Sequence, residues 1–397
     1  MSYCEGVNRQ RSPRQIHPFP ARMAPELALE ALRRAPRGAT VLDPMCGSGT
    51  VLKLGVEEGW GAIGFDLDPL AVLISRVASR PINVTRVKKV AEAMANQIDP
   101  KTKVAVPWID GDHPTSEFVN FWFANGQSRI LRQFAALLIN KKGATADLLR
   151  VALSRTIITK DRGASLARDV SHSRPHRVRD ENDYDVVQGF LDGVNHICGL
   201  VDREIAGTAA VALRDARQMP AELNGTVDLV ITSPPYLNAI DYMRGHRLSL
   251  VWLGHQLGGL RIIRSQSVGS ERSAKGSIDT ARALVPRHRK LLPRQQAMLD
   301  RYAIDMATFT DQIAMKLTPK GEAVVVVGDS IIQGAFVKNS RIVEKAAMQA
   351  GLKLVERRSR RLPSSSRYLP PPAGEGPMSM RMRSEVVLHF TKDPVSA

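Results

Sequence analysis

Cysteine is scarce in this 397-residue sequence. Cys4, Cys46 and Cys198 are too scattered for a CxxC pair and too few for an even disulfide framework. That excludes a disulfide-stapled scaffold and a cysteine-based structural metal site, and it points to a reduced, cytoplasmic protein. No apolar run approaches the ~18 residues that a spanning helix needs, so no membrane span is expected. Near the start, Arg9, Arg11 and Arg14 are followed by no apolar stretch, unlike a signal peptide. Acidic residues are also short: 39 Asp and Glu face 56 Lys and Arg, a formal net charge of +17. Such an imbalance points to a polyanionic partner, nucleic acid ahead of an anionic membrane surface, with a solvated basic face as the plainer alternative. Two nucleotide-binding signatures are missing as well. The glycine-rich loop has no Lys-Ser or Lys-Thr pair after its last glycine, as a phosphate loop needs, and no GxGxxG spacing, as a dinucleotide fingerprint needs. No internal repeat is visible.

What is present alternates. A basic arm leads into a helix over about 25–34, with proline in its first turn. Then come a strand (40–42), the glycine-rich loop, a helix to about 58, a strand (61–65) and a helix (69–79). This alternation predicts parallel βαβ units in a doubly wound α/β sheet. From about 100 to 206 the pattern is helical. Val187, Phe190, Val194, Ile197 and Val201 recur at spacings of three and four, as do Leu148, Leu149, Ala152, Leu153, Thr156 and Ile157. Residues 162–179 read as an exposed basic loop. Strands resume at 209–213 and 227–231, a second basic stretch spans about 254–294, and a helix (301–317) leads to a strand (323–327). A helix (340–350) and strands at 353–358 and 385–390 follow. The last two strands are joined without a crossover helix, so they are expected to pair antiparallel at the sheet's edge. The length suits two or three domains, or one large α/β domain with insertions. The pattern divides it into 1–99, a helical insertion at 100–206, and 207–397.

Chemistry gathers at predicted strand ends. Asp43 closes the first strand, and Cys46, Gly47, Gly49 and Thr50 follow in Asp43-Pro-Met-Cys-Gly-Ser-Gly-Thr50. Small residues there let a ligand approach the backbone at the carboxyl end of the sheet. Asp43 would repel a pyrophosphate and suits a cationic, phosphate-free cofactor. Asp66 and Asp68 end the second strand, where a carboxylate hydrogen-bonds ribose hydroxyls. Asp215, past the third, is placed to accept from an adenine amine. Each acid alone is more commonly a loop cap; three at successive strand ends argue for a site. After the fourth strand comes Thr232-Ser233-Pro234-Pro235-Tyr236. The two prolines fix φ and remove two donors, leaving carbonyls as acceptors, while Ser233 adds an acceptor and Tyr236 a stacking face. That set suits the grip of an exocyclic amine on a flat ring, although Pro-Pro beside Tyr is also a common surface turn.

These pieces, in this order, resemble the S-adenosylmethionine-dependent amino-methyltransferases of DNA. The matching residues are His17-Pro-Phe19-Pro-Ala-Arg22, Asp43 to Thr50, Asp66 to Pro69, Asp215, and Ser233 to Tyr236. The resemblance spans roughly residues 15–80 and 208–392. It departs at Met45, where the family motif has Phe or Pro. It implies a class I methyltransferase-like Rossmann sheet of seven strands, mostly parallel with a C-terminal antiparallel hairpin, and S-adenosyl-L-methionine as cofactor. Phe19 and Arg22 would contact its methionyl end, and Asp43, Cys46, Gly47, Gly49, Thr50, Asp66, Asp68 and Asp215 would complete its site. Ser233, Pro234, Pro235 and Tyr236 would act on a base flipped out of double-stranded DNA. Ser-Pro-Pro-Tyr is the form usual in cytosine-N4 enzymes, with adenine N6 as the alternative target.

The implied transfer is direct, without a metal or a covalent enzyme intermediate, and Cys46 and Cys198 are not placed for attack. An RNA exocyclic-amine methyltransferase and a catalytically silent nucleic-acid-binding protein are the competing readings. The aromatics of 241–254 read as core or loop packing, with phosphate contact by His246 and Arg247 as a lesser reading. The basic stretches 162–179 and 261–294 are expected to carry the nucleic-acid track. The recognition sequence and a cognate restriction endonuclease partner are left open.

Overall fold

A computed structural model describes residues 15–19, 22–36, 38–157, 162–168, 175–237, 241–270, 277–285, 287, 289–332, 335–362 and 384–393. Seven strands form its main sheet: β1 (Thr40–Asp43), β2 (Gly61–Asp66), β3 (Thr208–Leu213), β4 (Val227–Thr232), β5 (Leu317–Gly328), β6 (Leu352–Arg361) and β7 (Ser384–Lys392). Their order is β6-β7-β5-β4-β1-β2-β3. Strands β1 to β5 pair in parallel, while β7 runs antiparallel between β5 and β6. This is the mostly parallel sheet with a C-terminal hairpin that the sequence predicts. The hairpin lies at one edge of the sheet, with β6 outermost, and β3 forms the other edge.

The central strands are apolar on both faces because both are covered. Val41, Leu229, Ile231, Val324, Val326 and Val387 pack on one side with α1 (Pro25–Leu32) and Val51 of α2 (Thr50–Glu57). Leu42, Val230, Val325, Val327, Val386 and Leu388 pack on the other side, where Phe309 and Ile342 also lie. The period of two distributes neighbouring residues to opposite sides.

A third apolar cluster lies in the helices. It joins α3 (Pro69–Ser79), α4 (Val84–Ala95), α5 (His113–Trp122), α6 (Asn125–Ile139), α7 (Ala144–Ile157) and α8 (Val186–Val201). Both predicted amphipathic faces turn into it: Leu148, Leu149, Ala152 and Leu153 from α7, and Phe190, Val194 and Ile197 from α8. The same cluster takes in Met243, Leu248 and Trp252, from and just after α9 (Tyr242–Leu250), and Leu257 and Leu260 of α10 (Leu257–Gln266). The chain beyond the Ser233 loop therefore packs on helices laid down before β3. Trp108 Nε1 donates to the Val251 carbonyl at 2.8 Å across that junction.

Two expectations need revision. Residues 163–167 are buried rather than exposed, because Leu166 N–H donates to the Trp122 carbonyl at 2.8 Å and Ser165 Oγ to that of Ile157 at 2.8 Å. Residues 169–174 lie outside the described residues. The basic stretch 254–294 holds α10 and α11 (Ile278–Leu284), and α12 (Pro293–Lys316) starts eight residues before the expected 301, with proline in its first turn. The last helix, α13 (Asn339–Gln349), falls where expected. Among the described residues, no helix is long and apolar enough to cross a membrane.

Where the chain returns from the helices to β3, Gly207 passes against the end of α2. Its N–H donates to the Val56 carbonyl at 2.8 Å, and a Cβ there would lie 2.2 Å from the Trp60 carbonyl oxygen. Gly207→Ala should therefore destabilise the fold by about 1–3 kcal/mol, the range for overpacking. The measurement is the urea or thermal midpoint; an unchanged midpoint would show that the return has room to spare.

Candidate active site

The loop between β1 and α2 is built by glycines and braced from β2 and α3. Gly47 and Gly49 have φ of 50° and 77°, a region costly for residues with a Cβ. A Cβ on Gly49 would also meet Ser75 Cα at 2.8 Å. Ser75, on α3, donates from Oγ to the Gly47 carbonyl at 2.8 Å, a brace with no sequence signature. Asp66 holds the loop from β2: Oδ2 accepts from Gly47 N–H at 2.8 Å, and Oδ1 accepts from Asp68 N–H at 2.9 Å. Each carboxylate oxygen has a second acceptor position, so the arrangement still suits a diol. Phe19 lies over the loop, its ring edge 3.3 Å from where a Gly47 Cβ would be.

Asp43 is buried at the end of β1, where Oδ1 accepts from Met45 N–H at 3.2 Å. Burial raises its pKa to about 7 against the opposing hydrogen bonds, and burial with the neighbouring Asp68 raises that of Asp66 to about 6. Both acids are thus poised to ionise beside a cation. Burial and these carboxylates push the Cys46 thiol well up, so it is no nucleophile.

A cleft at the carboxyl ends of β1 and β4 is lined by Arg22, Asp43, Cys46, Gly47, Thr50 and Ser233, together with Met23, Met45 and Ser48. Residues almost two hundred positions apart in the chain meet there. In the Ser233 loop, Pro234 is buried, Pro235 half-buried, and the Ser233 and Tyr236 hydroxyls lie 3.4 Å apart. Tyr236 rests half-buried against the β5-side core. The loop is held from beyond β5: Ser330 Oγ donates to the Leu237 carbonyl at 2.6 Å, and Asn339 Nδ2 donates to Ser330 Oγ at 2.7 Å.

Two predicted acids are engaged by protein partners. Asp68 caps α3, its Oδ1 accepting from Leu70 N–H at 2.9 Å, while Oδ2 is hydrogen-bonded by Nδ1 of His246. His246 is 2% exposed, which rules out the phosphate contact considered for it. It packs with Tyr242 against Phe19 at ring-centroid distances of 5.2 Å (His246) and 5.6 Å (Tyr242). Asp215 takes a fork from Arg217, with Nη2 to Oδ2 at 2.7 Å and Nε to Oδ1 at 3.0 Å. Arg217 is buried and donates from Nη1 to the fully buried Asp305 at 2.7 Å. Arg217 and Ser75 are not among the residues the sequence singles out, and His246 is singled out there only for a phosphate contact. The Asp-x-Arg spacing at 215–217 is the only local sign of them.

No family model matches the chain. Among curated proteins it is similar to the type II methyltransferase M.MvaI of Kocuria varians, 24% identical over 271 residues, covering 62% of this chain and 59% of that protein. It is also similar to the type II methyltransferase M.MjaII of Methanocaldococcus jannaschii, 34% identical over 83 residues, covering 21% of this chain and 16% of that protein. The chain thus spans less than two thirds of the length of these relatives. Among solved structures, a TehB-like SAM-dependent methyltransferase from Corynebacterium glutamicum aligns with a TM-score of 0.30 at 11% identity, covering 93% of this chain and 87% of that one. At that score the strand order above carries the fold by itself. With its motifs in that order on this sheet, the chain is similar to these two type II methyltransferases.

Proposed function

We propose that the chain transfers a methyl group from S-adenosyl-L-methionine to an exocyclic amine of double-stranded DNA, with cytosine N4 as the target. The observation that carries this reading is the shared cleft of Asp43, Gly47 and Ser233. Backbone open to a ligand, and an acid suited to a cation, lie beside an acceptor hydroxyl on a proline-stiffened loop. The names of both curated relatives agree with methyl transfer. Bound there, the cofactor supplies an electrophilic methyl group.

The chain's own residues would divide the rest. Arg22 and Phe19 hold the methionyl end, the guanidinium fork matching a carboxylate. Cys46, Gly47, Gly49 and Thr50 shape the floor, and Asp43 balances the positive charge. Asp66 accepts from the ribose hydroxyls and Asp215 from the adenine amine, while Asp68 keeps α3 and α9 in place beside them. On the base side, the Pro234 carbonyl and Ser233 Oγ accept the amine's two hydrogens. That draws its lone pair out of conjugation with the ring and aims it at the methyl group. Pro235 stiffens the loop, and Tyr236 gives the flipped base a stacking face, an interaction of roughly 1–3 kcal/mol.

The raised pKa values set a pH dependence. Both carboxylates keep protons in the empty protein to higher pH than in the unfolded chain, so the empty protein loses stability as pH rises towards about 7. A cationic ligand favours the ionised forms, so affinity for the cofactor should rise with pH, by up to about a hundredfold per unit below about 6 and about tenfold per unit between about 6 and 7, and then level off. Asp43→Asn should weaken binding and remove the upper part of that rise; calorimetry at a series of pH values checks it, and a profile unchanged from wild type would remove Asp43 from the site.

Ser233→Ala and Tyr236→Ala should leave cofactor affinity within about threefold and reduce methyl transfer by roughly tenfold or more, with Tyr236→Phe milder than Tyr236→Ala. Tritium transfer from labelled cofactor to DNA, measured beside cofactor binding, separates the two effects. Full transfer in both alanine variants would overturn the placing of the base.

Mass spectrometry of nucleosides from DNA of cells expressing the chain should find N4-methylcytosine. N6-methyladenine would keep the reaction and change the target, whereas a modification confined to RNA would overturn the DNA reading.

A further inference from the structure

Helices α9 and α10, which follow the Ser233 loop, pack together and hold positive charge that the methyl-transfer site does not use. Each carries two arginines one turn apart: Arg244 and Arg247 on α9, Arg261 and Arg264 on α10. Among the described residues, a single carboxylate pairs with them. Asp241 Oδ2 accepts from Arg264 Nε at 2.7 Å and lies 3.6 Å from Arg244 Nε. Arg247 sits lower, its guanidinium 5.2 Å from the Phe118 ring centroid, and its Nε donates to the Arg244 carbonyl at 3.2 Å. Among the described residues it makes no salt bridge. Burial, then the charges of Arg264, Arg244 and Arg261, depress its pKa, with Asp241 opposing.

Arg244, Arg261 and Arg264 surround Arg247, with Asp241 paired to two of them, and like charges so gathered repel one another. An anion presenting several oxygens relieves that repulsion, and planar guanidinium forks match a phosphate better than a point charge does. The position narrows the source of that phosphate. On α9 the arginines lie on the flank away from Tyr242 and His246, which pack on Phe19 beside the glycine loop. The cluster is therefore about one helix diameter, about 10–12 Å, from the residues that border the cleft.

We propose that Arg244, Arg247, Arg261 and Arg264 seat the backbone phosphates of duplex DNA next to the base received by the Ser233 loop. The proposal rests on the DNA methyl-transfer reading and specifies where the duplex is held. The surface pair Arg261→Gln with Arg264→Gln removes two of the charges without opening the core. Arg358→Gln, on β6 where Arg358 pairs with Glu30 at 2.7 Å, removes charge at the far edge of the sheet. Binding of the full chain to a fluorescent mixed-sequence duplex is measured over about 50–200 mM salt.

For the glutamine pair, affinity at low salt should fall at least about tenfold, and the slope of log K on log salt should flatten by about 0.9 for each phosphate released. Arg358→Gln should behave as wild type. Arg261→Lys with Arg264→Lys keeps the charges and should recover the slope. A glutamine pair indistinguishable from wild type would overturn the seat while leaving methyl transfer to DNA intact. So would an equal loss in Arg358→Gln, which means a diffuse field, or a lysine pair as flat as the glutamine pair, which means lost structure. Wild-type chain that binds single-stranded RNA but no duplex would instead overturn the DNA reading, and the seat with it.

Discussion

The Asp66 carboxylate is the tie on which the cofactor side depends. It receives Gly47 N–H from the glycine loop and Asp68 N–H from the start of α3, joining the ends of β1 and β2. Hydrogen bonds to a charged group contribute about 1.5–3 kcal/mol each. Here they oppose the cost of burying that charge, which still wins enough to raise the pKa to about 6. In the proposed reading, buried acids at these strand ends favour a positively charged ligand. The opposite choice, a lysine in the loop, would have made it a phosphate site.

Two further ties run from the cofactor side to the chain beyond the Ser233 loop. His246 on α9 meets Asp68, and Arg217 joins Asp215 to Asp305 on α12 and to the Gln266 carbonyl at the end of α10. Asp305 also accepts from Gly269 N–H at 2.8 Å. The elements that would face a base are thus anchored by side chains whose own positions depend on the acids at the strand ends. Breaking the buried Arg217–Asp305 pair would leave a charge uncompensated, at a cost of about 3–5 kcal/mol, so that tie resists independent movement of the two sides.

The seven strands of the sheet were legible because period and punctuation agree. Apolar runs such as 227–231 end in residues with a distinct local chemistry, and the missing crossover helix before β7 announces the antiparallel pair. The glycine loop and the Ser233 loop were legible for the same reason, since each is a contiguous motif. Ser75, His246 and Arg217 were not. Their partners lie on separate elements or depend on side-chain direction, and a serine or histidine on an apolar helix carries no local signal of what it will meet. The basic segments misled in part. Charge composition at 162–179 reads as exposure, yet Ala164, Ser165 and Leu166 are buried through backbone and side-chain bonds to 122 and 157. Helix α12 begins earlier than its apolar pattern suggests, with Pro293 in its first turn.

The antiparallel insertion of β7 between β5 and β6 has a consequence for synthesis. The edge of β5 has no partner, and β6 has no place in the sheet, until residues 384–392 have been made. At about 5–20 residues per second, roughly 3–12 s separate the end of β5 from that moment. Throughout that interval the nascent sheet presents an apolar strand edge of the kind that recruits foreign strands. Strand β7 thus joins β5 to β6 only after every residue assigned to chemistry has been made.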